Sequence, residues 1–150
     1  MARVSDPTRI VRGTARSARR ALQRPRRRRN GLPLGVVDYT LAKRALLRDF
    51  RRGLLSRFDI CDAHPELLRA ARYLGQRAHR PCPVCRNEEL RLLAYVFADG
   101  LKRMEGRAFD IDEALALAAN QQSGACYVVE VCTGCSWNHL CEAFMVRSAG

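Results

Sequence analysis

Two pairs of cysteines, each separated by two residues, constrain the fold of this 150-residue chain more than any other feature. The first pair is Cys82 and Cys85, and the second is Cys132 and Cys135. The C-x-x-C spacing lets a tight turn point two thiolates at one metal ion, and two such turns supply the four sulfur ligands that zinc prefers. The pattern therefore predicts one structural zinc ion held by these four cysteines.

The sequence around the pairs is typical of a zinc ribbon. An apolar strand over 90–97 follows the first pair, and strands over 127–131 and 137–146 flank the second. The gap of 46 residues exceeds the roughly 15–20 of simple ribbons, and a strand, a turn and an inserted helix at about 112–120 account for the excess. Two alternatives stay open: two unrelated cysteine pairs in a reduced core, and a redox dithiol. Neither pair opens a helix in a βαβ unit, as a thioredoxin-like site requires.

Three further residues are candidates for contact with the centre. Cys61 and His64 have the spacing of a metal half-site, and His139 lies close to the second pair. Each is predicted either to donate to a ligand sulfur or to act as an alternative ligand. The competing interpretation makes Cys61 a small buried side chain, His64 an N-terminal helix cap before Pro65, and His139 an ordinary histidine.

Residues 36–80 are predicted to be a helical segment. Its first helix covers 36–53, with an apolar face and an opposite basic face. The apolar face contains Tyr39, Ala42, Leu46 and Phe50, and the basic face contains Arg44, Arg48 and Arg51. Gly53 is predicted to end this helix.

Two shorter helical elements follow in the same segment. Ser56 and Asp59 have the spacing of a capping box and predict one helical turn. Pro65 suits the first position of a helix over 65–74, which Gly75 ends. The chain thus reaches the first cysteine pair through a series of helices.

The net charge of +12 is concentrated at the N-terminus. Residues 1–30 contain eleven arginines and one acidic residue, and end in Arg26, Arg27, Arg28 and Arg29. With few large apolar side chains, residues 1–35 are predicted to form a disordered arginine-rich arm. The alternative is a translation start placed too far upstream, with initiation nearer Val36.

Several classes of protein are excluded on the sequence. The sequence contains no run of about 18 apolar residues, which a membrane span would need, and no secretory signal is evident. We therefore expect a cytoplasmic protein with reduced thiols. A glycine-rich phosphate loop, an H-E-x-x-H motif and a placeable Ser/His/Asp set are all missing. Four thiolates leave zinc no open position for water. We therefore expect no enzymatic activity and no small-molecule substrate.

The chain from about Val36 onward resembles an actinobacterial family of small proteins classified only as a domain of unknown function. The matching runs are Val37-Asp38-Tyr39, Cys61-Asp62-Ala63-His64-Pro65 with Leu67-Leu68-Arg69-Ala70-Ala71, Cys82-Pro83-Val84-Cys85, Val129-Glu130-Val131-Cys132 and Cys135-Ser136-Trp137-Asn138-His139-Leu140. The resemblance covers about three quarters of the chain, and the last run is the most specific. It implies no activity, because the family has none established.

The overall prediction is an α+β protein: a helical N-terminal segment, then over 81–150 a split zinc ribbon, a small antiparallel sheet with an inserted helix. Its predicted function is non-catalytic binding of nucleic acid, or docking on transcription or translation machinery, through Arg26–Arg29 and the basic face of the first helix. Against this, residues 82–150 hold nine acidic and six basic residues. The alternative is a zinc-stabilised protein–protein adaptor without nucleic-acid contact.

Overall fold

A computed structural model of the chain describes residues 32–104, 106–120 and 123–147. They form an α+β fold with one antiparallel sheet. Its strands are β1 (Leu32–Asp38), β2 (Gln76–Pro81), β3 (Glu89–Phe97), β4 (Ala108–Phe109), β5 (Ser123–Val131) and β6 (Asn138–Arg147). The helices are α1 (Thr40–Arg51), α2 (Arg57–Ile60), α3 (Pro65–Leu74) and α4 (Ile111–Ala119), with a 3₁₀-helix at Asp99–Met104.

The sheet brings the two cysteine pairs to one end. The strand order is β1-β6-β5-β3-β2, and β4 pairs with β3 outside this path. The first pair lies in the connection from β2 to β3, and the second lies in the connection from β5 to β6. Because β3 and β5 are antiparallel neighbours, with Arg91 opposite Val131, the start of β3 and the end of β5 meet. With six strands, the sheet is larger than the small ribbon that the sequence predicts.

The N-terminal boundary differs from the prediction. Leu32 to Gly35, expected to belong to the disordered arm, and Val36 to Asp38, expected to start a helix, together form strand β1. Their backbone pairs with β6, where Val36 lies opposite Phe144 and Val37 opposite Ala143. Long-range strand pairing thus overrides the local pattern. The rest of the predicted arm, residues 1–31 with Arg26, Arg27, Arg28 and Arg29, lies outside the described residues.

Helix α1 begins four residues later than predicted, and Leu46 and Phe50 of its predicted apolar face pack against the core. The Asp38 side chain accepts a hydrogen bond from the backbone N–H of Thr40, the first residue of the helix, at 2.8 Å. Leu47 is the buried residue of the helix, while Ala42 from the predicted apolar face is exposed. Gly53, with φ of +77°, ends the helix in the left-handed conformation that glycine adopts without strain.

The two shorter helices of the segment agree with the prediction. The capping box of α2 is present in both directions between Ser56 and Asp59. Helix α3 covers 65–74 as predicted, with His64 as its N-cap. A side chain at Gly75 would lie 2.3 Å from the carbonyl oxygen of Ala71, so the close approach of the chain there requires glycine.

The predicted helical segment also contributes strands at its two ends, β1 and β2, to the shared sheet. Nothing in the polar sequence of β2, Gln76–Pro81, predicts a strand. Farther along, the predicted strand over 90–97 and the inserted helix are confirmed as β3 and α4, whereas β5 begins at Ser123, four residues before the predicted start at 127. Asp110 caps α4 by accepting from the backbone N–H of Glu113.

The sheet has an apolar cluster on each face. On one face α1 and α4 cover a core that includes Leu92, Val128 and Trp137. On the other face α3 packs on Leu93 and Val129. Consecutive residues of β3 and β5 therefore point into opposite cores. In the described ranges, no helix is long and apolar enough to cross a membrane.

Candidate metal centre

Two backbone turns of closely similar design present the four cysteines. In the first, the N–H of Arg86 donates to the carbonyl of Cys82, and in the second the N–H of Ser136 donates to that of Cys132, both at 3.1 Å. Arg86 and Ser136, each one residue after a C-x-x-C, both have positive φ, of 62° and 72°. We name residues 82–86 the first turn and residues 132–136 the second turn.

Backbone hydrogen bonds also reach the sulfur atoms. The N–H of Val84 points at Cys82 Sγ, at 3.4 Å, and the N–H of Cys135 points at Cys132 Sγ, at 3.5 Å. Such bonds stabilise a thiolate and fix the direction of its lone pairs. Each turn therefore directs a backbone N–H at the sulfur of its leading cysteine, where it stabilises a thiolate once the proton has left.

The four sulfur atoms come together in one group. Sγ of Cys82 lies 3.6 Å from that of Cys135, and Sγ of Cys85 lies 3.7 Å from that of Cys132. All four sulfurs lie within 4.8 Å of one another. Cys82 and Cys132 are buried, and Cys85 and Cys135 are half-buried. Two cysteine pairs that lie 50 residues apart in the chain thus form one cluster that can hold a metal ion.

Hydrogen bonds and burial separate the acidities of these thiols. A hydrogen bond from Cys82 lowers the pKa of Cys132 to about 5, and the backbone N–H groups of Cys135 and Gly134 act in the same direction. The same hydrogen bond raises the pKa of Cys82, and burial raises it further. Burial raises the pKa of Cys135 to about 12. Ion binding must release these protons, since only thiolates are effective ligands.

Cys61 lies beside this cluster without being one of its four members. Its Sγ donates a hydrogen bond to Sγ of Cys135 at 3.7 Å. Burial raises the pKa of the Cys61 thiol, against the effect of hydrogen bonds with Cys135 and Arg57. The structure thus brings one of the three additional candidates into contact with a cluster sulfur, as a donor.

The two histidine candidates have other contacts. His64 Nδ1 accepts from the backbone N–H of Glu66 at 3.2 Å, which is the N-cap of α3. His139 is buried and stacks on Trp137, with ring centroids 5.5 Å apart. Of the described residues, only cysteines belong to the metal-binding group.

A buried carboxylate connects the second turn to the rest of the fold. Glu130 is fully buried, and its Oε1 accepts from Trp137 Nε1 at 3.0 Å and lies 2.7 Å from Lys43 Nζ. Its Oε2 pairs with Arg80 and accepts from Cys141. One side chain on β5 therefore joins α1, β2 and the residue that follows the second turn.

This buried network has no local signature in the sequence. Glu130 lies within the predicted strand over 127–131, between Val129 and Val131. Its partners Lys43 and Arg80 are about 90 and 50 residues away, so no local pattern reveals them. The one available signal is Val128, which occupies the same face of β5 as Glu130 and is itself apolar.

The predicted basic face of α1 is present on the surface. Arg44, Arg48 and Arg51 are exposed. Arg48 makes a long surface ion pair, 3.8 Å, with its neighbour Asp49, and such pairs are weak. Lys43 differs from the three arginines, because it points inward to Glu130.

An open cleft of about 400 Å³ lies beside the first turn, between β2 and the start of β3. Charged side chains of both signs line it, including Arg77, His79, Arg86, Glu88 and Glu89. Arg77 pairs with Glu89 at 2.7 Å and lowers the pKa of that carboxyl. The cleft is wide and open to solvent, and its lining mixes positive and negative side chains.

Comparison with known proteins gives one family and a set of close relatives. Residues 31–150 match the model of a family of unknown function, DUF5318. Uncharacterised proteins of Mycobacterium bovis and Mycobacterium tuberculosis are 41% identical over 113 residues, which are 75% of this chain and 82% of theirs. No solved structure matches the chain. The relatives agree with the actinobacterial resemblance drawn from the sequence.

Proposed function

Because the chain belongs to DUF5318, a family of unknown function, its activity must come from its own residues, and we propose a non-catalytic, zinc-stabilised protein that binds nucleic acid through the arginines of α1. This binding includes nucleic acid held within transcription or translation machinery. The observation that carries the proposal is the exposed row formed by Arg44, Arg48 and Arg51.

Zinc is the ion that fits the sulfur cluster. With Zn–S bonds of about 2.3 Å, a tetrahedral site places neighbouring sulfurs about 3.8 Å apart. The two closest sulfur pairs of the cluster lie 3.6 and 3.7 Å apart. Four thiolates fill the coordination sphere and leave no position for a reactive water, which supports a structural ion. Thiolate ligation also needs reduced cysteines, so the proposal requires a reducing compartment such as the cytoplasm.

The arginine row has the dimensions of a phosphate-binding surface. Arg44 and Arg51 are seven residues apart on α1, which is about 10 Å along the helix axis. Successive phosphates of one duplex strand advance by about 3.4 Å along the axis, so the row spans about three of them. The guanidinium group offers the paired donors that phosphate oxygens accept.

The test compares two double variants of the full chain. Arg48→Ala/Arg51→Ala removes two exposed arginines three positions apart from α1, and Arg69→Ala/Arg72→Ala removes two with the same exposure and spacing from α3. Both variants have the same net charge and keep residues 1–30, so any background binding by the N-terminal arginines is common to both. Binding to duplex DNA and to structured RNA is measured across salt concentrations.

We expect the α1 variant alone to bind more weakly. Each lost phosphate contact reduces the slope of log K against log salt by about 0.9 for a duplex, so two contacts reduce it by about 1.8. The α3 variant keeps the wild-type slope. Equal behaviour of the two variants contradicts binding through α1.

A protein partner is the second candidate, and one observation favours it. Leu54, between α1 and α2, and Phe58, on α2, are 70% and 92% exposed. Large apolar side chains on the surface mark contact sites when they lie together. If Phe58→Ser abolishes a defined protein cross-link in cells while Tyr73→Ser, on α3, and Arg48→Ala/Arg51→Ala leave it intact, the adaptor function replaces nucleic-acid binding.

A further inference from the structure

Cys61 is a fifth thiol at the edge of the four-cysteine cluster. Its Sγ lies 3.7 Å from Sγ of Cys135, the same separation as between cluster members Cys85 and Cys132. A zinc ion at the centre of the four sulfurs does not require Cys61 as a ligand, because four thiolates already complete the coordination sphere of the ion. The reason for a cysteine at this position must therefore differ from ligation in the resting protein.

The position of Cys61 is fixed by three contacts of the same segment. The N–H of Ala63 donates to the carbonyl of Ser136 at 3.0 Å. The Nδ2 of Asn138 donates to Asp62 Oδ1 at 3.0 Å. On the other side, the capping box of α2 holds the helix that ends at Cys61. The segment 61–63 is thus attached to the second turn, and these contacts hold the thiol of Cys61 next to that of Cys135.

The Cys61 side of the cluster is also the accessible side. Cys61 and Cys135 are half-buried, whereas Cys82 and Cys132 are fully buried. The guanidinium of the exposed Arg57 lies close enough to Cys61 and Cys135 to interact electrostatically with both. A small neutral oxidant can therefore reach this pair of sulfurs next to a cation that stabilises anionic sulfur and the departing hydroxide.

We propose that Cys61 and Cys135 form a peroxide-oxidisable pair, whose conversion to a disulfide withdraws one ligand and releases the metal. The oxidant class is hydrogen peroxide or an organic hydroperoxide. This inference rests on the zinc centre of the proposed function and does not depend on nucleic-acid binding.

The reaction balances in two steps. The Cys135 thiolate attacks one peroxide oxygen, which forms an S–OH group and releases hydroxide. The Cys61 sulfur then attacks the Cys135 sulfur, forming the S–S bond, while its proton and the OH group leave as water. The peroxide is reduced by two electrons as two thiol groups become one disulfide. The sulfur atoms must approach from 3.7 Å to about 2.05 Å.

Loss of Cys135 as a thiolate leaves three ligands for the metal. A disulfide sulfur is a poor ligand for zinc, since the thiolate is the binding form. A thiol reductant reverses the change by restoring both thiols, after which the site can bind zinc again.

The test uses the full-length zinc-loaded protein exposed to a slight excess of hydrogen peroxide. Zinc release is followed with a colorimetric chelator, and disulfides are assigned by mass spectrometry of peptides under non-reducing conditions. The variants are Cys61→Ser and, as a matched loss of a cysteine outside the cluster, Cys126→Ser. Zinc content before peroxide tests the metal centre separately from the fate of the thiols afterwards.

We expect the wild type and Cys126→Ser to release zinc together with a Cys61–Cys135 disulfide, and dithiothreitol to reverse both changes. Cys61→Ser binds one zinc, releases it several-fold more slowly and yields sulfinic or sulfonic Cys135 instead of the cross-link. Equal release rates in wild type and Cys61→Ser overturn the proposal. A first disulfide that joins two of the four cluster cysteines overturns it as well.

Discussion

The first and second turns have the same backbone design and unlike surroundings. Both present two cysteines and end on a residue of positive φ. The first turn borders an open charged cleft. Arg86 at the end of the turn and Glu88 just after it are exposed and line this cleft. The second contacts Cys61 and the segment after it, and leads into the buried Trp137. The two turns thus resemble each other in how they present metal ligands. They differ in their neighbours, because the second turn hydrogen-bonds with the segment that follows α2.

The largest expected effect tests the symmetric part of this comparison. Cys82→Ser and Cys132→Ser each remove one sulfur ligand, and we expect both to reduce bound zinc far below one per chain. Both lose several kcal/mol of unfolding free energy, because the metal-binding free energy adds to folding stability. Metal analysis and urea unfolding measure this.

A matched substitution outside the cluster separates ligand loss from core damage. Cys126→Ala alters a buried cysteine with no contact to the four sulfurs and should keep full zinc. If either Cys82→Ser or Cys132→Ser also keeps full zinc, the two turns are unequal as ligands.

The second effect in size distinguishes the neighbours of the two turns. Glu130→Gln removes the buried carboxylate that both Lys43 and Arg80 contact. Breaking a buried charge pair by removing one partner costs about 3–5 kcal/mol. Glu88→Gln beside the first turn changes an exposed side chain and should stay within about 0.5 kcal/mol of wild type. Equal values from urea unfolding would remove the asymmetry.

A smaller effect concerns the residue that follows the second turn. Trp137→Phe keeps an aromatic ring beside His139 and loses the N–H that donates to Glu130 at 3.0 Å. Hydrogen bonds to charged groups contribute about 1.5–3 kcal/mol, and we expect a loss near the lower end because Lys43 still pairs with the same oxygen of Glu130. Circular dichroism during urea unfolding measures the loss, with Tyr73→Phe at an exposed site as the control. A value for Trp137→Phe as small as that of the control contradicts a structural use of this hydrogen bond.

The smallest effect is a pH dependence of the stability that α2 contributes. This helix comes directly before Cys61. Hydrogen bonds from the backbone and side chain of Ser56 lower the pKa of Asp59. A carboxyl whose pKa is lower in the folded state stabilises the fold above its unfolded pKa of about 3.9, and this contribution disappears as the pH falls through the folded pKa. Wild type should therefore exceed Asp59→Asn slightly in unfolding midpoint at pH 7, and the difference should vanish in strong acid.

Metal loss in acid affects both proteins of this comparison equally, so the difference between them isolates the carboxylate. A constant difference from pH 7 into strong acid would show that the capping box does not depend on the charge of Asp59.

The elements with local chemical signals were predictable from the sequence. His64, Pro65 and Gly75 mark the bounds of α3, and Ser56 with Asp59 marks α2, because caps act within a few residues of the helix end. The four-cysteine cluster was also predictable, since the spacing within each pair fixes a turn. The strands next to the pairs then bring the two turns together.

The features that depend on distant partners were not predictable. Pro33 and Gly35 argue against a strand, yet β1 forms because its backbone pairs with β6 more than 100 residues later. Burial of Glu130 depends on Lys43 and Arg80, which come from other elements. The periodicity of α1 predicts the inward positions of Leu46 and Phe50, whereas the burial of Leu47 and the exposure of Ala42 follow from where the helix lies on the sheet.

The neighbouring positions of β1 and β6 have a consequence for synthesis of the protein. The first strand described is held by the last, and β6 itself lies between β1 and β5. Residues emerge from the ribosome in order, at about 5–20 per second, so β1 waits for more than 100 further residues before its partner exists. Cys132 and Cys135 emerge shortly before β6. Sheet closure and metal acquisition therefore become possible at nearly the same time, when the concentration of available zinc determines how quickly a new chain reaches its final form.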